Sequence, residues 1–191
     1  MREPLKSLAT RRTSIAIVVA TVAFIVILWL SGRPWVCKSG IGLVTGAWSH
    51  CTSQHLLDPY SLTHVLHGII FYWALRYFAP KVPLPWQLFI AVAIEIGWEL
   101  LENSAWVIER YRQQTVSLDY VGDSILNSFG DLVTMVIGFV IASQFSWRVA
   151  VLIFVIVEVG LLVTIRDNLT LNVLMLFAPV DGIKQWQIGG M

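Results

Sequence analysis

Five apolar stretches, at about residues 14–30, 62–79, 84–107, 125–142 and 149–165, divide this chain. Each is close to the ~20 residues that a helix needs to cross the hydrocarbon of a bilayer. Peptide groups in that medium find no water, so stretches of this kind satisfy themselves as helices. The composition agrees: 57% of the 191 residues are hydrophobic and 13% charged, and the mean hydropathy is +0.72, outside the usual balance of a soluble domain. The expected fold is all-α, a polytopic transmembrane bundle of about five spanning helices forming one integral membrane domain over residues 1–191. A sixth apolar piece, residues 169–179, has about half the spanning length and is expected to be a short C-terminal re-entrant or interfacial segment.

The N-terminus carries Arg2, Lys6, Arg11 and Arg12 directly before the first apolar stretch, which places residues 1–13 in the cytoplasm by the positive-inside rule. That stretch exceeds the apolar core of a signal peptide, and no small-x-small cleavage site follows it. The arginine pair is followed by Thr13-Ser14-Ile15, which lacks the rest of a twin-arginine signal. A retained anchor is the expectation. Residues 31–57 then form an external loop, and the chain ends in a segment over 166–191. The two cysteines, Cys37 and Cys51, both fall in that loop. An oxidising compartment permits a disulfide there, but spacing alone does not establish the bond geometry, and two thiols stay open as the alternative. Trp29, Trp35, Trp86, Trp106 and Trp147 sit at or near span ends, as an aromatic belt requires. With net charge +1 and no basic run beyond the N-terminus, nucleic-acid binding is set aside.

The third stretch contains Glu95, Glu99, Glu102 and Asn103. On a helix the three carboxylates fall within roughly 60° of one another, so they share one stripe that must face protein or water. Ionisable groups at membrane depth usually line a pathway or a polar site. In the second stretch, Asp58-Pro59 reads as a helix start, and His64 and His67 follow, one turn apart and able to address one site. The fourth adds Asp123, Asn127 and Asp131 at four-residue steps, with Asp119 one step earlier. Three helices therefore carry polar stripes at overlapping depths, as a single buried site between them requires.

Imidazole and carboxylate together suit a divalent zinc, manganese or iron ion. The candidate ligands are His64, His67, Glu99, Glu102 and Asp123, with Glu95 or Asp131, deeper, as general base. Arg110 and Arg112 beside the mouth are candidates for holding a phosphate. Asn103, Asn127, Asp119 and Glu158 complete the candidate pocket. The spacing matches neither the Glu-x-x-His of bundle di-metal sites nor the His-Glu-x-x-His zinc signature. Interhelical hydrogen bonding, at about 0.6 kcal/mol per contact, is the structural alternative. Several facing carboxylates exceed it, because their repulsion needs protons, a cation or arginine partners to relieve it. Glu158 either joins the site or finds a partner within the bundle. Gly68, Gly97, Gly130 and Gly138 are read as packing positions, and His50 and His55 as solvated loop residues.

The segment Asp58-Pro-Tyr-Ser-Leu-Thr-His64-Val-Leu-His67-Gly68, followed by Glu95-Ile-Gly-Trp-Glu99-Leu-Leu-Glu102-Asn103 and Asp119-Tyr-Val-Gly-Asp123-Ser-Ile-Leu-Asn127-Ser-Phe-Gly130-Asp131, resembles an uncharacterised family of small multi-pass bacterial inner-membrane proteins. That resemblance implies a helical protein of the bacterial cytoplasmic membrane and carries over no catalytic residue. The order of His, Glu-x-x-x-Glu and Asp-x-x-x-Asn-x-x-Gly is also similar to VanZ-like membrane proteins. Three functions are therefore expected to compete. One is a metal-dependent membrane enzyme acting on a lipid or lipid-linked substrate from the outer leaflet. The second is a proton- or cation-binding transport protein. The third is a non-catalytic assembly subunit; membrane lipid is the expected partner in all of them.

Overall fold

The computed structural model describes residues 8–114 and 120–189, in which helices and loops are joined with no strand. The described helices are α1 (Arg11–Leu30), α2 (Ser61–Phe78), α3 (Leu84–Glu102), α4 (Ala105–Gln114), α5 (Ile125–Gln144), α6 (Trp147–Ile165), α7 (Leu169–Phe177) and α8 (Asp181–Ile188). Four of them, α1, α3, α5 and α6, are long and apolar enough to cross a membrane. α2 has 18 residues but is the polar member of the set, because Ser61, Thr63, His64, His67 and Arg76 lie within it. The positively charged Arg2 and Lys6 lie outside the described residues.

Local chemistry explains the helix ends. Thr10 and Thr13 make a reciprocal capping box that starts α1, and the Ser124 and Asn168 side chains accept from the amides of Asn127 and Leu171 to start α5 and α7. The third stretch, expected to be one run over 84–107, is instead two helices. Asn103 stops α3, its side-chain amide donating back to the Glu99 carbonyl at 3.0 Å and across to Asp123 at 3.0 Å. Ser104 then accepts from the Val107 amide at 3.3 Å and begins α4. The expected start at Asp58-Pro59 also shifts: α2 begins at Ser61, and Asp58 accepts from the Tyr60 and Ser61 amides from just outside it. α8, short and mixed in polarity, was not anticipated.

The core lies among α1, α2, α3 and α5, around Phe24, Leu28, Leu66, Ala91, Val92, Met135 and Phe139, all buried. α2 and α5 approach closest. A Cβ placed on Gly68 would lie 2.0 Å from the Met135 carbonyl oxygen, and one on Gly138 would lie 2.0 Å from that of Val65. Small residues let helix backbones meet in this way where lipid supplies no hydrophobic drive between them. The outer faces of α1 and α6 remain apolar and exposed, through Val18, Val19 and Val22 on the first and Val155, Ile156 and Val163 on the second. They are faces suited to acyl chains.

The connections gather by end. The amides of Ser124, Ile125 and Leu126 donate to carbonyls of Ser53, Pro34 and Trp35, joining the loop after α1 to the start of α5. At the same end Tyr111 donates to Asn172 at 2.8 Å, joining α4 to α7. The Tyr60 hydroxyl donates to Asp167 at 3.2 Å, tying α2's entrance to the segment after α6. Cys37 and Cys51 are disulfide-bonded, with Cα atoms 5.6 Å apart across 14 residues of sequence. A loop of that length is worth about 3 kcal/mol when closed. Cys37→Ser is expected to lower stability by about that amount, measured by unfolding in detergent under non-reducing conditions; an unchanged midpoint would show that the bridge adds nothing to loop order.

Candidate functional site

His64 is the hub. It projects from the first turn of α2, buried, where the opposed faces of α3 and α5 bring three carboxylates to it. Its Nδ1 lies 2.5 Å from Glu95 Oε1 and 3.5 Å from Glu99 Oε1, and its Nε2 lies 3.9 Å from Asp131 Oδ2. His67, one turn on, places its own Nδ1 3.1 Å from Glu95 Oε2. Both histidines thus converge on Glu95, which is fully buried. Asp131 is held in place by the Ser61 hydroxyl, which donates to its Oδ1 at 2.6 Å.

Glu99 differs from the rest. It is 0% exposed, and neither of its carboxylate oxygens has a hydrogen-bond partner among the described residues. His64 Nδ1 stands 3.5 Å from its Oε1, an ion-pair distance longer than an ordinary hydrogen bond. Two groups of ligating atoms lie within 4.8 Å of one another here, His64, His67 and Glu95 in one and His64, Glu99 and Glu102 in the other. The sulfurs near His50 are bonded to each other as a disulfide and offer no comparable group.

A second layer lies closer to the loops. Asn103 and Asp123 grip each other twice: the Asn103 amide donates to the Asp123 carboxylate at 3.0 Å, and the Asp123 backbone amide donates to Asn103 Oδ1 at 2.8 Å. The Tyr120 hydroxyl donates to the other Asp123 oxygen at 2.9 Å. Burial raises the Asp123 carboxyl to about 6, against the lowering effect of that hydroxyl. Glu102 lies beside the Tyr111 hydroxyl, and the Tyr111 and Tyr120 rings meet edge to face at 5.3 Å.

Above the histidines opens a cavity of about 750 Å³, with His64, His67, Glu102 and Asp123 among its walls. The disulfide-bonded loop forms much of the remainder, and α7 contributes Leu169, Asn172 and Val173. The expected interfacial segment is thus a wall of the site. Trp98, Tyr111 and Tyr120, also in the walls, were missed by the sequence reading. Their signal was present, since Trp98 is one residue from Glu99 and Tyr120 three from Asp123, but nothing in a sequence separates an aromatic that lines a pocket from one that packs in a core.

Several expected members fall elsewhere. Arg110 donates to the Leu176 carbonyl at 2.9 Å and Arg112 to that of Tyr120 at 2.6 Å, so both brace the frame and neither borders the cavity. Asn127 donates to the His55 carbonyl at 3.0 Å and fastens the loop. Glu158 does not join the site: it accepts from the amides of Leu169 and Thr170 at 2.9 and 3.1 Å and from the Thr170 hydroxyl, and so anchors the start of α7. Asp119 lies outside the described residues.

Asp167, 2% exposed, is raised to about 6, chiefly by burial and against the Asn168 amide. A carboxyl whose pKa is higher folded than unfolded binds its proton more tightly in the folded state, so its contribution to stability falls as pH rises from about 4 to 6. Loss across that window is expected to be roughly 3 kcal/mol for this one group. Asp167→Asn should flatten the pH dependence of the melting temperature between pH 4 and 7; a slope equal to that of the unaltered protein would remove Asp167 as its source.

The fold and site define a class: an all-helical protein with membrane-length helices and a buried histidine–carboxylate cluster beneath a loop-walled cavity. The chain belongs to the family described as a protein of unknown function (DUF2585), which matches residues 28–189. It is 48% identical to a UPF0314 protein of Brucella anthropi, covering 91% of this chain and 90% of the relative. It is 46% identical to one of Sphingopyxis alaskensis, over 94% and 97% of the two chains, and 44% identical to one of Paracoccus denitrificans, over 88% of each. No solved structure matches. These relatives bear out the resemblance to an uncharacterised bacterial family and carry nothing for the VanZ-like one.

Proposed function

We propose that this is a multi-pass protein of the bacterial inner membrane, with a cytoplasmic N-terminus, whose outward pocket holds one divalent metal ion and uses it to activate water against a lipid or lipid-linked substrate. Glu99 carries this reading. A carboxylate buried without hydrogen-bond donors is costly, and a cation held jointly with neighbouring imidazoles removes that cost. His64, His67, Glu95 and Glu99, drawn from the two ligating groups that share His64, would supply mixed nitrogen and oxygen ligands suited to zinc, manganese or iron. Glu95, first expected as a base, is drawn into the ligand set by its contacts to both histidines. Asp131 stands 3.9 Å from the other ring nitrogen of His64, where its charge would favour that ring's placement behind a bound metal. Glu102 and Asp123, at the cavity walls, are left to handle protons of the bound water and substrate.

A one-sided pocket is favoured over a transport path. Below Asp131, the Thr134 hydroxyl turns back to the Asp131 carbonyl at 2.9 Å, and Met135 and Phe139 follow, both fully buried. Because both ligand groups use His64, one ion per chain is expected rather than two. Elemental analysis of protein purified in mild detergent tests this. A stoichiometry near one supports the reading, and absence of any bound divalent transition metal after growth in metal-replete medium overturns it.

A further inference from the structure

The cavity above the histidines has walls of unequal chemistry. Its carboxylates are Glu102 and Asp123, and Lys38 is the one lysine or arginine among its described lining residues. The arginines nearest it are engaged in other work. Arg33 donates through Nε and Nη2 to the Asp123 carbonyl at 2.9 and 2.8 Å and through Nη2 to that of Val121 at 2.8 Å. Arg110 and Arg112 are likewise spent on backbone carbonyls. A site built for an anion would turn such guanidinium groups inward. Here they hold the frame and leave the acidic groups facing the space.

The rest of the lining is aromatic. Trp48, Tyr60, Trp98, Tyr111 and Tyr120 border the cavity, coming from the disulfide-bonded loop, the entrance to α2, α3, α4 and the segment before α5. Aromatic faces combined with carboxylates are the recognition chemistry of an organic cation. The Asp123 carboxylate is fixed for that task, with Asn103 and Tyr120 donating to opposite oxygens. The volume, about 750 Å³, lies within the ~300–1,000 Å³ of small-molecule pockets and far exceeds what one metal ion needs. Leu169 and Val173 of α7 add an apolar wall.

The geometry points to an ammonium-bearing headgroup as the ligand of this cavity, its amine held by Asp123, Glu102 and the aromatic walls, and the phosphate of the same headgroup paired with Lys38. This rests on the reading above that the pocket takes a membrane-derived ligand, and it narrows that ligand to an aminophospholipid or a soluble compound with the same phosphoamine end.

The test titrates purified protein in detergent with short-chain phospholipids bearing ethanolamine or glycerol headgroups and with free phosphoethanolamine, following tryptophan fluorescence, to which Trp48 and Trp98 contribute. The ethanolamine lipid is expected to bind at least tenfold more tightly than the glycerol lipid. Asp123→Asn should erase that preference, and Trp48→Leu, on a half-exposed loop side chain, should weaken ethanolamine-lipid binding several-fold. Both variants should keep the metal content of the unaltered protein, because neither residue is in the ligand set. Free phosphoethanolamine binding as well as the lipid would assign the site to the soluble amine, with the ammonium chemistry upheld. Equal binding of the two lipids, or tighter binding of the glycerol form, overturns the inference. Metal measured in the same samples separates the failures: metal-loaded protein without headgroup preference sinks this inference alone, and metal-free protein with the preference sinks only the metal reading.

Discussion

Glu99→Gln is expected to lower metal affinity by on the order of 100-fold or more and, at the same time, to raise the melting temperature of the metal-free protein. The two signs have one cause. In the folded chain Glu99 is fully buried with both oxygens lacking hydrogen-bond partners among the described residues, so without a cation it costs stability, on the order of 2 kcal/mol. An amide of the same shape carries no charge to desolvate. With metal present the order reverses, since the ion stabilises the folded state by an amount that grows with the logarithm of its free concentration relative to its dissociation constant. Chelator should therefore lower the midpoint of the unaltered protein and leave that of Glu99→Gln unmoved. A purely structural hydrogen-bond network predicts no chelator effect on either protein, and that result would end the metal interpretation.

The largest loss of stability is expected at Gly68. A Cβ there would lie 2.0 Å from the Met135 carbonyl oxygen and 2.5 Å from the Phe139 amide nitrogen. Both are backbone atoms of α5, so no side chain can swing aside and the helices must separate. Overpacking of that kind costs roughly 3 kcal/mol or more, enough to cut the yield of folded protein about tenfold or to abolish it. Separation would also carry His64 away from Asp131, so metal retention should fall together with stability. Gly97→Ala is the control. A Cβ on Gly97 meets nothing within 4 Å, and alanine is favoured over glycine in a helix by about 1 kcal/mol, so that variant should be neutral or slightly more stable. Equal tolerance at positions 68 and 97 would contradict the close α2–α5 approach.

The site was legible in outline because helix periodicity converts spacing into facing. Glu95 and Glu99 at i and i+4, with His64 and His67 at i and i+3, leave little freedom about which sides of their helices they occupy. Depth was legible too, by counting from span ends, and it correctly grouped three helices. What counting missed was direction across the gap. Glu95 looked deep enough to stand apart as a base, yet the packing of α3 against α2 places it on both histidines. Arg110 and Arg112 looked free because the sequence does not display backbone carbonyls. The folded chain supplies those of Leu176 and Tyr120, and each guanidinium goes to one. Glu158 had two outcomes open, the site or a partner within the bundle, and α7 decides for the second by placing two amides on it.

By itself, the sequence determined that this chain is helical, that several of its helices are of membrane length, and that histidines and carboxylates share one level, because hydrophobic length and the 3.6-residue turn are local properties. Only the tertiary structure decided that Glu99 has no hydrogen-bond partner among the described residues, that His64 is the centre, and that loop and α7 enclose a cavity over them. Those outcomes depend on ångström-scale distances between segments far apart in the chain, set by glycine contacts, a disulfide and side-chain-to-carbonyl bonds, and no local rule encodes which backbone will come to meet a given side chain.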